Sequence, residues 1–469
     1  MSIRYFRSLK IHVEPIIFLT TFCNVAINIV KPHLTEMKMR RTYSHPEGTD
    51  EEIKKFYNKW MVTWDQNYDY VNMPIACIVG ILYGAYGDVR GRKMPILLGI
   101  VSMLLGNIVN ILMWSEKVDI ALQWSYLSAV LCGLLGDYFM IMGLANAYLS
   151  DIFSNKHALG YRMIIASVCV SSGTLCTSWA TKFLVDRFGD LAALYMAQVG
   201  AAAILCFAVC VVERKEHEPS RLSVLEICKN GFISVYESLK IFFIRREDHR
   251  RLFLWICLLA NFLNEMTFGE QKGLIGTFTR LPPFNWGTDQ FAVYKAVRPV
   301  YMITGSLFGL IVLRRYLRFR DTSLIILSTV SLAIFVIALG LARVSWIVFI
   351  ALVPGGFHGL LAPLTTTFIT CLIKNDEVGK VLAINMIVGK LAGVAETAIL
   401  QNIYKSTLDW YPGFVWLVMG GISLFSALLY LFVHVVARRE KIGPEYDRKE
   451  KNVESSEPCG QRDDVQNEA

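Results

Sequence analysis

Twelve apolar blocks dominate this 469-residue chain. They run approximately over 11–31, 70–87, 94–114, 121–149, 161–183, 190–212, 252–271, 291–312, 322–342, 346–373, 380–402 and 413–437. As helices of roughly 20 residues, such blocks cross a hydrocarbon core of ~30 Å. A bilayer offers the backbone no hydrogen-bond partners, so each block must satisfy its own as a helix. The expected class is therefore an all-α polytopic membrane protein with twelve transmembrane helices. Composition agrees: 18% of residues are charged, against about a quarter in soluble proteins.

Charge orients the blocks. Arg4, Arg7 and Lys10 precede the first. Arg90, Arg92 and Lys93 follow the second, Arg314, Arg315, Arg318 and Arg320 the eighth, and Arg438, Arg439 and Lys441 the twelfth. All of these fall on one side of a twelve-span chain. The positive-inside rule makes that side, with both termini, cytosolic, and places the 31–68 loop outside. The net charge of +8 thus reports topology, and nucleic acid is not an expected partner. No cleavable leader is read, because the first apolar run is too long and contains Glu14. The two largest outer loops hold no cysteine, so no disulfide between them is expected.

The polar stretch 213–251 divides the chain. The expected units are an N-terminal six-helix half (1–212), a cytosolic linker (213–251), a C-terminal six-helix half (252–437) and a disordered cytosolic tail (438–469). In the linker Leu225, Cys228, Phe232, Val235, Leu239 and Phe242 recur at i+3/i+4, the pattern of one apolar helix face.

Ionisable groups inside a bilayer cost several kcal/mol unless they face a cavity or a partner, so each is a candidate. Asp137 stands mid-block beside Gly133 and Gly136. Glu265 and Glu270 lie in the seventh block, Lys295 and Arg298 three apart in the eighth, and Lys390 and Glu396 in the eleventh. His358 sits among glycines in the tenth. Glu14, near the cytosolic end of the first block, is either an interfacial anchor or a functional acid. Two cations in the eighth block suit an anionic solute or a neutralising role toward Glu265 or Glu270. Asp137 and Glu265 are the expected proton-coupling acids, since desolvation raises a carboxyl toward physiological pH.

The turn at 84–93 reads G-A-Y-G-D-V-R-G-R-K. Gly84 is expected to admit a neighbouring helix closely. Asp88 ends a helix, Gly91 is expected to take a positive φ, and Arg92 and Lys93 hold the turn in the cytosol. Asp88, Arg92, Asp151 and Arg162 are expected to form a charge cluster that latches the cytosolic side. A weaker echo, G-S-L-F-G at 305–309 followed by basic residues and Asp321, lies after the eighth block, as a parallel six-plus-six repeat requires.

This turn resembles the loop between helices 2 and 3 of major facilitator transporters. With V-E-P at 13–15, A-Y-L-S-D at 147–151 and D-E-V-G-K at 376–380, the chain is similar to the proton-coupled folate transporter and thymic stromal cotransporter family. The resemblance implies the major facilitator fold and inward symport of an organic, usually anionic, solute. The cysteine-free outer loops and the absence of arginine at 363–368 depart from folate-carrying members. The solute stays open among another pterin, a peptidoglycan fragment and a conjugated steroid.

The expected function is proton-coupled secondary transport of a small organic solute by alternating access. It uses no cofactor beyond a proton gradient and no metal, and works as a monomer or weak homo-oligomer in the lipid bilayer. The plasma membrane is expected ahead of the lysosome. A proton-independent facilitator and a non-transporting receptor or scaffold are the alternatives. With no H-E-x-x-H, G-x-S-x-G or GxxxxGK[ST] motif, an enzyme or an ATP-driven pump is not expected.

Overall fold

The computed structural model describes residues 13–43, 47–118, 120–153, 156–211, 223–268, 273–374 and 377–442. Glu270, Asp376 and the tail from 443 lie outside the described residues. The described chain is helical throughout, in the order α1 (Glu14–Thr42), α2 (Asp50–Arg90), α3 (Lys93–Trp114), α4 (Trp124–Leu135), α5 (Tyr138–Ile152), α6 (Lys156–Phe188) and α7 (Leu191–Val211). The linker helix α8 (Val224–Lys240) precedes α9 (Arg250–Thr267), the short α10 (Leu274–Thr279) and α11 (Thr288–Phe308), which continues as a π-helical turn to Tyr316. Then come α12 (Asp321–Leu341), α13 (Ser345–Ile350), α14 (Leu352–Gly355), α15 (Leu361–Leu372), α16 (Val378–Thr407) and α17 (Phe414–Arg439). Among the described residues, ten segments are long and apolar enough to cross a membrane, counting α4–α5 and α13–α15 as one each. The blocks expected at 161–183 and 252–271 are the helices α6 and α9, which are not among those ten.

The 31–68 segment corrects the sequence reading. It is mostly two helix extensions rather than a loop. α1 continues to Thr42, and α2 starts at Asp50 with a capping box. The Glu52 carboxylate accepts the Thr49 N–H at 2.8 Å, while the Thr49 hydroxyl accepts the Glu52 N–H at 3.4 Å. This reciprocal pair satisfies two donors that a helix start leaves open. Polarity hid the extension, because D-E-E-I-K-K reads as loop until its cap is seen.

Two ends of the bundle differ. We call the end carrying the 84–93 turn the turn face. There one apolar cluster binds α1, α3, α5, α6 and α7 through Ile16, Ile100, Ile141, Ala166 and Ile204. A separate cluster binds α9, α12, α15 and α17 through Phe253, Leu324, Phe368 and Tyr430. At the opposite face Ile29 of α1 and Val62 of α2 join a single cluster with Phe278, Phe291 and Trp416. The opposite face is thus shut by a shared apolar core.

The linker helix α8 packs on both α2 and α16. Its buried face is rotated from the expected one. Ile227, Gly231 and Ser238 are buried, whereas Phe232 and Leu239 are exposed. Gly231 sets the rotation: a Cβ there would sit 2.8 Å from the Ala85 Cβ of α2.

Candidate functional site

The fourth apolar block is broken at its centre. α4 ends at Leu135, Gly136 takes φ 116°, and α5 begins at Tyr138. Only glycine adopts that φ readily, and a Cβ at Gly136 would overlap the Met140 methyl. Asp137 fills the gap as N-cap, its Oδ1 accepting the Met140 N–H at 2.7 Å. This corrects the mid-helix placement expected for Asp137. A carboxylate suits the break because the N–H dipoles of a helix start favour negative charge.

The same Oδ1 lies 3.9 Å from the Lys390 ammonium on α16, and both side chains are partly accessible. Lys390 also faces α2 at Gly80, where a Cβ would come 3.9 Å from its Nζ. Glu265 of α9 lies against Gly389, its Cγ 3.8 Å from a Cβ placed there. The structure therefore brings Asp137 and Lys390 together where α2, the α4–α5 break and α16 meet, and places Glu265 of α9 against Gly389, the neighbour of Lys390.

Asp137 lines a cavity of about 270 Å³ bounded by α1–α4 and the start of α5. This is near the lower end of small-molecule sites, ~300–1,000 Å³. α1 contributes Asn24, Asn28, Lys31 and Thr35, and α2 contributes Asp65, Tyr68 and Asn72. α3 adds Ser102, Asn107 and Asn110, and α4 adds Ser125 and Ser128. Lys31 and Asp65 form an ion pair at 2.7 Å. The sequence reading missed this wall by weighing charges alone and placing Lys31 and Asp65 at the edge of or within a loop. The signal was present: 24, 28, 31 and 35 recur at i+4, i+3 and i+4, one face of a helix.

The other candidates fall elsewhere. The Arg298 guanidinium sits over the Phe268 ring at 4.7 Å, and the His358 ring lies 4.5 Å from the same ring. His358 occupies a 3₁₀ segment, Gly356–Leu360, that interrupts the tenth block, with Gly305 of α11 packed against the Gly356 backbone. The Lys295 ammonium lies 5.2 Å from the Phe291 ring. Glu396 is buried on α16. None of these four residues lines the cavity.

At the turn face Arg92 bridges two acids, donating from Nη2 to Asp88 at 2.5 Å and from Nε to Asp151 at 2.6 Å. Gly87 makes room: a Cβ there would lie 3.2 Å from the Arg92 side chain. Gly91 takes φ 91°, as expected, and Lys93 donates to the Val209 carbonyl near the end of α7 at 2.9 Å. Gly84 does not play the expected role, since a Cβ there would meet nothing within 4 Å. Arg162 donates to Glu14 at 2.6 Å, with both side chains about nine-tenths buried. Removing one partner of such a pair costs ~3–5 kcal/mol.

Polar contacts reinforce the opposite face. Asn58 of α2 donates to the Thr277 carbonyl at 2.7 Å and accepts from the Tyr404 hydroxyl at 2.9 Å. Gln66 donates to the Thr397 carbonyl at 2.9 Å. Arg280 pairs with Glu36, which also holds Arg40 at 2.9 Å. Between α6 and α7, Asp190 lies 2.6 Å from His33 and accepts the Thr288 hydroxyl at 2.8 Å. Burial alone would raise the Asp190 carboxyl. The hydrogen bond and charge of His33, the Thr288 hydroxyl and the charge of Arg280 outweigh it and hold the carboxyl below its usual value.

A helical bundle of membrane-length segments, with a cavity that reaches a charge pair and a bridged basic turn, defines an integral multi-pass membrane protein of the transporter class. The Major Facilitator Superfamily model matches residues 70–395, and the chain belongs to that superfamily: it is a transporter, not an enzyme. Among curated relatives, the rat proton-coupled folate transporter is 23% identical over 92% of each chain. The Drosophila melanogaster probable peptidoglycan muropeptide transporter SLC46 is 22% identical over 82% of this chain and 73% of that one. The mouse lysosomal proton-coupled steroid conjugate and bile acid symporter SLC46A3 is 23% identical over 73% of this chain and 74% of its own. The fold matches a POT family transporter crystallised with a thioalcohol-conjugated peptide (TM-score 0.61, 12% identity, 90% of this chain and 96% of that one). It also matches the human organic anion transporter MFSD10 (TM-score 0.60, 15% identity, 89% and 98%).

Proposed function

We propose that the protein moves a small organic solute across its membrane by alternating access coupled to protons. The helices before and after the linker act as two halves that rock about Asp137 and Lys390. The Asp137–Lys390 contact carries this reading. It joins a cavity-lining carboxylate at a helix break to a cation on the eleventh span. Protonating Asp137 removes its attraction for Lys390, and losing the proton restores it, so proton and solute act on one joint. Glu265, beside Gly389, is the second candidate acid. The names of the rat and mouse relatives, both proton-coupled, support the coupling.

In this reading the turn face is cytosolic, by its Lys and Arg clusters, and the Arg92 bridge belongs to the cytosolic gate. The opposite face, shut by its apolar core and the Asn58, Gln66 and Arg280 contacts, is the outer gate. The working unit is the monomer and the membrane is the plasma membrane; a lysosomal address, as in the mouse relative's name, is the alternative that surface biotinylation decides. The test of function is uptake of labelled solutes into proteoliposomes with and without an inward proton gradient. Uptake that vanishes when the gradient is collapsed supports symport. Uptake indifferent to the gradient makes the protein a facilitator, and solute-induced stabilisation without flux makes it a receptor.

A further inference from the structure

The linker helix α8 has an apolar face that the bundle does not cover. At roughly 100° per residue its side chains sort into successive faces. Ile227, Gly231 and Ser238 are buried against the bundle. Leu239, Phe232 and Tyr236 follow at roughly 80–140° from Gly231, and all three are exposed. Lys229, Ile233 and Lys240 stand opposite Gly231, also exposed, and Glu226, Asn230, Ser234 and Glu237 close the circle toward water. The order round the helix is protein, apolar, basic, polar. A helix lying in a membrane interface has that order, with rings toward the acyl chains and lysines where the two media meet. The Lys240 ammonium lies 4.5 Å from the Tyr236 ring, so the basic border touches the aromatic face. Glu226 is committed to the helix cap, its carboxylate accepting the Ser223 N–H at 2.7 Å.

The depth of α8 says what covers its apolar face. A Cβ on Gly231 would come 2.8 Å from the Ala85 Cβ and 3.7 Å from the Ile81 carbonyl oxygen. Both belong to α2, a helix of membrane-spanning length and composition. At 1.5 Å per residue, Ala85 stands roughly 7 Å inside the basic end of that helix, Arg90. α8 therefore lies level with the last turns of a span, where acyl chains give way to headgroups, and not below them in open water. The aromatic surface continues beyond α8. Phe243 and Trp255 are both exposed and their rings meet at 5.4 Å, while the Trp255 indole donates to the Phe242 carbonyl at 3.0 Å. Trp255 stands near the start of α9, and an exposed tryptophan near a span end marks the membrane interface. On its other side α8 reaches the second half, where Val235 packs against the cluster of Phe253, Leu324 and Phe368.

We propose that α8 is a dock for anionic lipid. Phe232, Tyr236 and Leu239 enter the acyl boundary of the leaflet at the turn face, and Lys229 and Lys240 bind the lipid phosphate. The proposal rests on the cytosolic placement of that face, since cytoplasmic leaflets carry anionic lipid that attracts lysines beside a span. Because α8 leans on α2 and α16 at once, the lipid sits beside the seam between the two halves. Binding of fluorescent phosphatidylserine to the purified full-length chain in detergent tests it, with fluorescent phosphatidylcholine as the neutral probe. Phosphatidylserine is expected to bind saturably and at least about tenfold more tightly than phosphatidylcholine. Lys229→Gln combined with Lys240→Gln should remove most of that preference. Phe232→Ser combined with Tyr236→Ser should weaken both lipids about tenfold, because acyl contact does not depend on headgroup charge. Glu237→Lys should strengthen phosphatidylserine binding, a gain that a misfolded variant does not show. Equal affinity for the two lipids, or a preference indifferent to the lysine substitutions, overturns the proposal. So does competition by glycerophosphoserine as strong as by the intact lipid, which would mark a site for free phosphate esters. Lipid binding of the expected kind in a chain that carries no solute leaves the dock standing and removes transport; solute uptake without a lipid preference does the reverse.

Discussion

The Lys390 ammonium stands 3.9 Å from the carboxylate that caps α5, that of Asp137. Asp137 thus has two separable tasks. Its oxygen caps a helix, and its charge faces a cation. Asparagine caps as well as aspartate, whereas alanine loses about 1 kcal/mol at such a position. Asp137→Asn should therefore melt close to wild type, yet flatten the pH dependence of uptake. Asp137→Ala should lose both. If Asp137→Asn keeps the wild-type pH profile and proton flux, the coupling role passes to Glu265, and Glu265→Gln becomes the decisive variant.

Gly136 and Gly84 make opposite forecasts. Gly136→Ala forces a Cβ onto φ 116° and into Met140, and should cost ~1–3 kcal/mol. Gly84→Ala meets open space and should lie within about 0.5 kcal/mol of wild type. Thermal unfolding of the two purified variants checks both. Equal melting points would mean that the break at 136 is not held by its glycine.

The Arg92 bridge is unequal. The Asp151 side chain is 29% exposed and that of Asp88 is 64%. Screening by solvent limits an exposed pair to ~0–1 kcal/mol. A double-mutant cycle with Arg92→Met should give a larger coupling to Asp151→Asn than to Asp88→Asn. Both acids should affect uptake rate more than outer-side binding if the bridge is a gate. Loss of affinity matching the loss of rate, in protein correctly delivered to the membrane, argues against a latch.

Asp190 gives a pH signature. Its carboxyl is held below its usual value in the folded protein. A lowered native pKa stabilises above the unfolded value, about 3.9, and that contribution is lost as pH falls through the native value. Asp190→Asn should lower the melting point at neutral pH. The gap to wild type should close as pH drops below about 4. Parallel melting curves across that range would show that the His33–Asp190–Thr288 contact does not stabilise the fold.

Much of the fold was legible because apolar blocks of membrane length admit few solutions. The bridge was largely legible too, since Asp88, Arg92 and Asp151 sit at helix ends where charge is readable. What escaped was geometry that depends on neighbours. Nothing local says that Gly136 rather than Gly133 breaks the fourth span; the decision lies in the left-handed backbone and the Met140 contact. Asn24, Asn28 and Thr35 escaped because uncharged polar residues scatter through membrane helices, and their common face shows only once α1 is known to run past residue 31. The buried face of α8 was misjudged by one residue, because a glycine, invisible to an apolar count, is what fits against Ala85.

The length of α2 has a mechanical consequence. Its 41 residues make a rod of roughly 60 Å at 1.5 Å per residue, about twice the hydrocarbon thickness. Asn58 grips Thr277 and Tyr404 near one end, and Arg90 ends the rod where the Arg92 bridge begins. Pro74 lies between them, where a missing hydrogen bond permits a bend. A rod that stays straight swings its two ends in opposite senses, as a see-saw does, and a bend at Pro74 loosens that linkage. The Asn58 contacts and the 84–93 turn are then the two ends of one lever, and Pro74→Ala, by restoring the missing hydrogen bond, should tighten the link between them.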